Sequence, residues 1–368
     1  MSPGEPRKRN NPTAVPCAGG RGERNGGAPP DALRRTGGAL RRMRFGKEAR
    51  NMKYAARSLL TLLATMLIVS FLAFAAFSLI SGDPATAKLG TEATPEKVAA
   101  LREQMGLNRP FLVRYGSFLA GFFTGSFGTS YSYSLPVGTL VGQKLPVTLA
   151  LSLLAFVMTV AVAVPLGIRS ARRAEGRLDG VRTAVNQFLM ALPPFFTGIL
   201  LTWVFGILLR WFQPGRFPAF SEDPAGFFLY LLFPAAAVAL PRIAMTVRML
   251  RSTILYEMNR DYVRTAISRG NDRSGVLCRH VLKNAMAPVV AFLAQTMAEV
   301  VAGSIVVEQV FSVPGLGRLL LGSISARDWP VVEVIVVILA LWVVLANTIG
   351  DLLSQRIDPR LRLGGDGE

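Results

Sequence analysis

Charge is scarce in this 368-residue chain: only 17% of residues are Asp, Glu, Lys or Arg, against about a quarter in an ordinary soluble domain. Histidine is nearly absent. The single His280 excludes the common multi-histidine zinc sites and leaves little room for a Ser/His/Asp relay, so neither a metal site nor a catalytic residue is expected. The two cysteines, Cys17 and Cys278, stand far apart, which rules out a disulfide scaffold. No GxxxxGK[ST] string occurs. The nearest, GTLVGQK at 138–144, has the wrong spacing to cradle a phosphate, so nucleotide chemistry has to come from another chain. What the chain has instead is apolar length: 51% of its residues are hydrophobic and its mean hydropathy is +0.38. Lys and Arg outnumber Asp and Glu by 41 to 23, a net charge of +18, yet they avoid the long apolar runs and gather between them. A nucleic-acid binder would need a polar body; this pattern belongs to a membrane protein.

Residues 1–51 are rich in Arg, Gly, Pro and Asn, with 12 Lys and Arg against 4 Asp and Glu, and read as a disordered basic tail. Met52, Lys53 and Tyr54 directly before the first apolar run look like a natural start, so the tail reads as an extension without function, contact with anionic lipid being the other reading. Residues 52–368 read as one transmembrane domain. Residues 58–82, 145–168 and 183–209 hold no charge over 25, 24 and 27 positions, each enough to cross a hydrocarbon core of about 30 Å. Pro193 and Pro194 should kink or break the third run. A fourth run starts near Pro224 and meets Arg242 and Arg248 at its far end, from where long side chains can snorkel to the interface. A fifth spans about 285–310 and a sixth about 331–353. The expected fold is all-α and polytopic, with six membrane helices.

Placing the amino terminus inside puts 31 of the 41 Lys and Arg on the inner side, so both termini and both cysteines are expected in the cytoplasm. The long outer segment 83–143 carries one clear helix signal. Thr94 can cap, Pro95 suits the first position, Glu96 complements the positive helix end, Gly106 can terminate, and Val98, Leu101 and Met105 form an apolar stripe. A small surface helix explains it without a catalytic role.

The inner loop 255–288 is the most organised polar segment. It reads as a helix ending at Gly270, then a second segment from about Ser274 to the fifth membrane helix near Pro288. Arg260, Arg264, Arg269, Arg273, Arg279 and Lys283 alternate with Tyr262, Val263, Ala266, Val276, Leu277 and Val281, which suits insertion of an apolar face into a partner groove with a charged rim. This loop resembles the EAA loop of ABC-importer permeases of the dipeptide, oligopeptide and nickel family. Asp261-Tyr262-Val263-Arg264-Thr265-Ala266, Gly270, Arg279-His280, Leu282, Asn284 and Pro288 carry the likeness. Further matches are Glu308, Phe311-Ser312, Pro314-Gly315-Leu316-Gly317, Arg327-Asp328 and Pro330, then Asn347, Asp351-Leu352-Leu353 and 358–362. Residues 81–85, 105–110, 125–130 and 145–153 add to it, with Ser126 where the family often has Asp. The likeness covers roughly 52–362.

The resemblance implies half of a transmembrane pathway for dipeptides, oligopeptides or a nickel complex in the bacterial inner membrane. The other half is a second homologous permease, worked by two cytoplasmic ATPases that bind ATP and Mg, and supplied by an extracytoplasmic solute-binding protein. The chain itself would be no enzyme and hold no cofactor. Loop 255–288 would be the lever seated in the ATPase, with Asp261, Tyr262, Arg264, Thr265, Ala266, Gly270, His280, Leu282 and Asn284 as its site residues, His280 and Asn284 organising it by hydrogen bonds. Glu299 reads as the one acidic residue well inside a span and shares a helical face with Gln295; the pair either lines the translocation path or makes a buried bond at a permease–permease interface. A secondary transporter or channel independent of ATP is the competing class. It would want inverted repeats or several intramembrane ionisable residues, and the sequence displays neither.

Overall fold

A computed structural model describes residues 60–79, 83–174 and 176–357. The basic tail and the motif at 358–362 lie outside the described residues, as do residues 81 and 82. Helix α1 spans Leu60–Leu79. Three short helices follow, α2 (Pro84–Leu89), α3 (Pro95–Gln104) and α4 (Phe111–Thr124), with a 3₁₀ turn Gly90–Glu92 between α2 and α3. The long α5 (Val137–Arg172) leads to α6 (Asp179–Ala191) and α7 (Pro194–Leu201), which continues as a π-helical stretch Thr202–Leu208. Then come α8 (Pro224–Met258), α9 (Asp261–Ser268), α10 (Arg273–Val276), a π-helical link Leu277–Val281, α11 (Leu282–Val310), α12 (Leu316–Ser325) and α13 (Trp329–Ile357). Among the described residues extended pairing is limited to one bridge, Thr129 with Pro136.

Local chemistry accounts for the boundaries. Thr94 accepts from the Lys97 amide at 3.4 Å and Pro95 opens α3, while Gly106 has φ +66 just beyond its end. Val98, Leu101 and Met105 are its half-buried stripe, as the spacing predicts. Among the described residues five helices are long and apolar enough to cross a membrane, and α6 with α7 makes a sixth crossing only as a pair bent by 97°. The bend falls at the two prolines: Pro193 caps α7 and Pro194 is its first residue, where a missing N–H costs nothing at a helix start but would interrupt a helix interior.

Helix α8 is the hub, packed against α5, α6, α7 and α11. Gly167 lets α5 approach closely, because a Cβ there would lie 2.8 Å from the Leu250 side chain. Three apolar clusters run along the bundle. A middle cluster joins Leu151 and Ala155 of α5 to Leu231 and Val238 of α8 and to Val300 and Val307 of α11. A second holds Val137, Leu140, Leu316, Leu319, Val331, Val332, Val334 and Ile335 at the α12 end. The third, at the α9 end, gathers Leu250 and Ile254 of α8, Val263 of α9, Val276 of α10, Leu277 and Val281 of the link, and Ala285, Val289 and Leu293 of α11. Helix α1 leans on α4 through Ser70, whose hydroxyl lies 3.0 Å from that of Tyr115, and through Phe71 and Phe74 against Phe111 and Tyr115.

Candidate functional site

At the α9 end the chain leaves α8 at Asn259 and re-enters a helix at Asp261, whose carboxylate sits in the first turn and complements the positive helix end. Arg260 is held back against α8: its guanidinium donates to the Tyr256 hydroxyl at 2.7 Å and lies 4.5 Å from that ring's centroid. Helix α9 stops at Gly270, which has φ +86. Its amide donates to the Ile267 carbonyl at 2.9 Å, and the left-handed conformation lets Asn271 turn back so that its side chain donates to the Ala266 carbonyl at 3.0 Å. Asp272 then caps α10 by accepting from the Gly275 amide at 3.0 Å. Helix, glycine turn and second helix thus stand where the sequence places them.

The faces differ from expectation. Val263, Val276, Leu277 and Val281 are buried inside this chain's own cluster, with Ala266 and Leu282 partly buried against it. Eight residues make barely two turns, and the apolar face of so short a helix is needed to hold it to α8 and α11. The surface left outward is Asp261, Tyr262, Arg264, Thr265, Ile267, Ser268 and Arg269, a mixed polar and charged ridge. Tyr262 is braced by donating to Glu257 at 2.8 Å; burial of its ring side pushes the hydroxyl pKa up, the nearby Asn284 side chain of α11 opposing and Glu257 adding to the rise. His280 is exposed and forms no hydrogen bond among the described residues. Beside it, Cys278 accepts from the Arg172 guanidinium at 2.8 Å.

Halfway along the bundle, Glu299 of α11 pairs with Arg242 of α8, and Gln295 donates to the same carboxylate at 3.1 Å. Helix α8 runs on for 35 residues to Met258, so Arg242 lies near the middle of the helix, which is longer than a hydrocarbon core requires. The sequence offers the two residues separately, and their pairing appears only when α8 and α11 pack. The Glu299 side chain is 39% exposed and that of Arg242 20%.

Other acids are buried near the helix ends. Glu308 is fully buried, accepting from Thr148 at 2.6 Å and from the amides of Gly317 at 2.7 Å and Arg318 at 3.3 Å. It thereby caps α12 and locks the loop after α11, with Thr148 also accepting from the Leu316 amide at 2.7 Å. Asp328, equally buried, accepts from the Ser130 hydroxyl and from the amides of Tyr131 at 2.9 Å and Ser132 at 3.2 Å. Glu333, 6% exposed, lies one turn into α13. The motif residues Glu308, Gly317 and Asp328 are thus structural fasteners at the α12 end.

A polar ridge braced onto two long apolar helices, a broken span and a short apolar helix fastened by buried acids describe a polytopic membrane protein. The family model described as binding-protein-dependent transport system inner membrane component matches residues 163–363, and that of the family's N-terminal membrane component matches 51–152. The chain belongs to this family. It is 36% identical over 297 residues to a putative peptide transport system permease protein of Brucella abortus, covering 81% of this chain and 95% of that one. It is 33% identical to the oligopeptide transport system permease protein AppB of Bacillus subtilis, covering 84% and 98%. With the dipeptide transport system permease protein DppB of Alkalihalophilus pseudofirmus it shares 30%, covering 84% and 99%. It is accordingly a multi-pass permease subunit of an ABC importer.

Proposed function

We propose that this permease carries dipeptides or oligopeptides inward as one half of a pathway completed by a second, homologous permease, with α9 as the element driven by two ATPases that bind ATP and Mg. In this reading both termini and the α9 end face the cytoplasm, since the basic segments 169–182 and 242–284 lie there, and an external binding protein delivers solute to the α12 end.

The observation that carries the lever is the shared cluster. Val263 is 1% exposed and packs with residues of α5, α8 and α11, while Tyr262, Arg264, Thr265 and Ile267 face outward. A push on the outward ridge reaches α8 and α11 through close-packed side chains with little slack, and those two helices carry Arg242, Glu299 and Gln295. Charged groups partly exposed on long apolar helices require water or protein beside them, which fits a face lining the translocation path. The peptide class follows from the relatives' names.

Uptake of a di- and tripeptide mixture into vesicles holding the assembled transporter, with and without ATP, tests this reading, comparing Gly270 with Gly270→Pro. Proline holds φ near −65° and cannot replace a residue at φ +86. The expected result is ATP-driven uptake that Gly270→Pro abolishes while membrane insertion persists. Uptake indifferent to ATP would mean a secondary transporter or channel.

A further inference from the structure

At the α12 end, between α4, residues 126–134 and the start of α13, lies a cavity of about 590 Å³, within the range of small-ligand sites. Glu333 lines it. This carboxylate is 6% exposed, yet it accepts no hydrogen bond among the described residues and forms no ion pair there; the charge acting on it is that of Arg114. The contrast with its neighbours is sharp, since Glu308 and Asp328 each accept three hydrogen bonds. Its oxygens are not among the fully enclosed, unsatisfied polar atoms, so they open into the cavity that Glu333 lines, where an entering donor can reach them.

The remaining walls have complementary character. Arg114 lies over the Phe74 ring, 5.5 Å from its centroid, rather than against Glu333. Lys88 and Arg109 also line the cavity; Lys88 reaches only the Ser134 hydroxyl, at 3.4 Å, and Arg109 meets no carboxylate among the described residues. Trp329 adds an aromatic surface. One buried acid stands apart from two cations with no acidic partner, around a space large enough for two or three amino-acid residues. That is the complement of a short zwitterion.

We propose that this cavity is a binding site for short peptides with free termini, the α-ammonium group engaging Glu333 and the carboxylate engaging Arg109 and Lys88. The inference rests on the peptide reading above and adds a holding site on the outer face, separate from the Arg242 and Glu299 pair. Selection for both termini follows from its geometry: an amino-terminal acyl group removes the charge that Glu333 meets, and a carboxamide removes the one that Arg109 meets.

Retention of an isotope-labelled mixture of di-, tri- and tetra-alanine by the full-length chain in lipid nanodiscs tests it, alongside ATP-driven uptake of the same mixture by the assembled transporter. The native chain should retain free-terminus peptides, and Glu333→Gln and Arg109→Gln should each lower retention about tenfold or more. N-acetylation should weaken retention by the native chain and cause no further loss in Glu333→Gln; carboxamides should behave likewise with Arg109→Gln. Arg109 is exposed, so its variant decides the matter if Glu333→Gln does not fold. No retention by the native chain, or retention unmoved by these substitutions and by terminal blocking, overturns the site. If ATP-driven uptake then persists, the importer reading stands without it; if uptake of every peptide is absent too, both fall.

Discussion

The two ends of the bundle use their polar residues in opposite ways. At the α12 end acids turn inward, and Glu308 and Asp328 lock segments far apart in sequence through three hydrogen bonds each. At the α9 end charges turn outward, and apolar side chains do the fastening. A buried hydrogen-bond network specifies one geometry, because losing any partner strands a desolvated group. An apolar cluster under an exposed ridge holds a short helix to its neighbours yet leaves its surface free for another protein. The α12 end is fixed by its hydrogen bonds, and the α9 end leaves free the surface on which the proposed ATPase would push.

The largest effect should come from Glu308→Ala. Removing the carboxylate leaves the Gly317 and Arg318 amides and the Thr148 hydroxyl without their acceptor, at a cost of about 3 kcal/mol, read as a lowered unfolding midpoint of the purified chain. A negligible shift would break the comparison at its fixed end. Val263→Ala comes next. It removes two buried methyl groups at 1% exposure, worth about 2 kcal/mol with the cavity left behind, and ATP-driven uptake should fall further than that loss of stability explains. Gly270→Ala should cost about 1 kcal/mol because φ is +86; an unchanged midpoint would show that the turn relaxes. Arg264→Gln should change stability by less than about 0.5 kcal/mol, as exposed sites do, and Tyr262→Ala should cost about 1 kcal/mol because it removes the bond to Glu257. Both should nonetheless reduce the ATPase that co-purifies, increasingly so at higher salt for Arg264→Gln. Retention of the ATPase by both variants would remove the ridge from the interface.

The same contrast explains what could be read from the sequence. Long uncharged runs, the paired prolines and the Thr94-to-Gly106 helix were all legible, because length, a missing N–H and a capping hydroxyl act locally. So was the helix, turn and helix of 255–288, marked by Gly270. Which way its apolar residues face was not, since Val263 and Val276 meet α8 and α11 only through tertiary packing. The Arg242 and Glu299 pair was missed for a related reason: the two residues stand 57 positions apart and meet only when α8 and α11 pack. Glu308 could be recognised as a motif residue, but its acceptor role depends on Thr148, 160 positions away.

In the proposed mechanism α9 moves as one body with α8 and α11. Distances between spin labels on Ser268 of α9, Ser252 of α8 and Lys283 of α11, all but the first flanking the shared cluster and all exposed, test it most directly in the assembled transporter, with Cys17 and Cys278 replaced by serine. Through an ATP cycle these three distances should stay constant while the distance from Ser268 to the partner permease changes. A shift of α9 relative to α8 and α11, with the two membrane helices unmoved, would contradict the account.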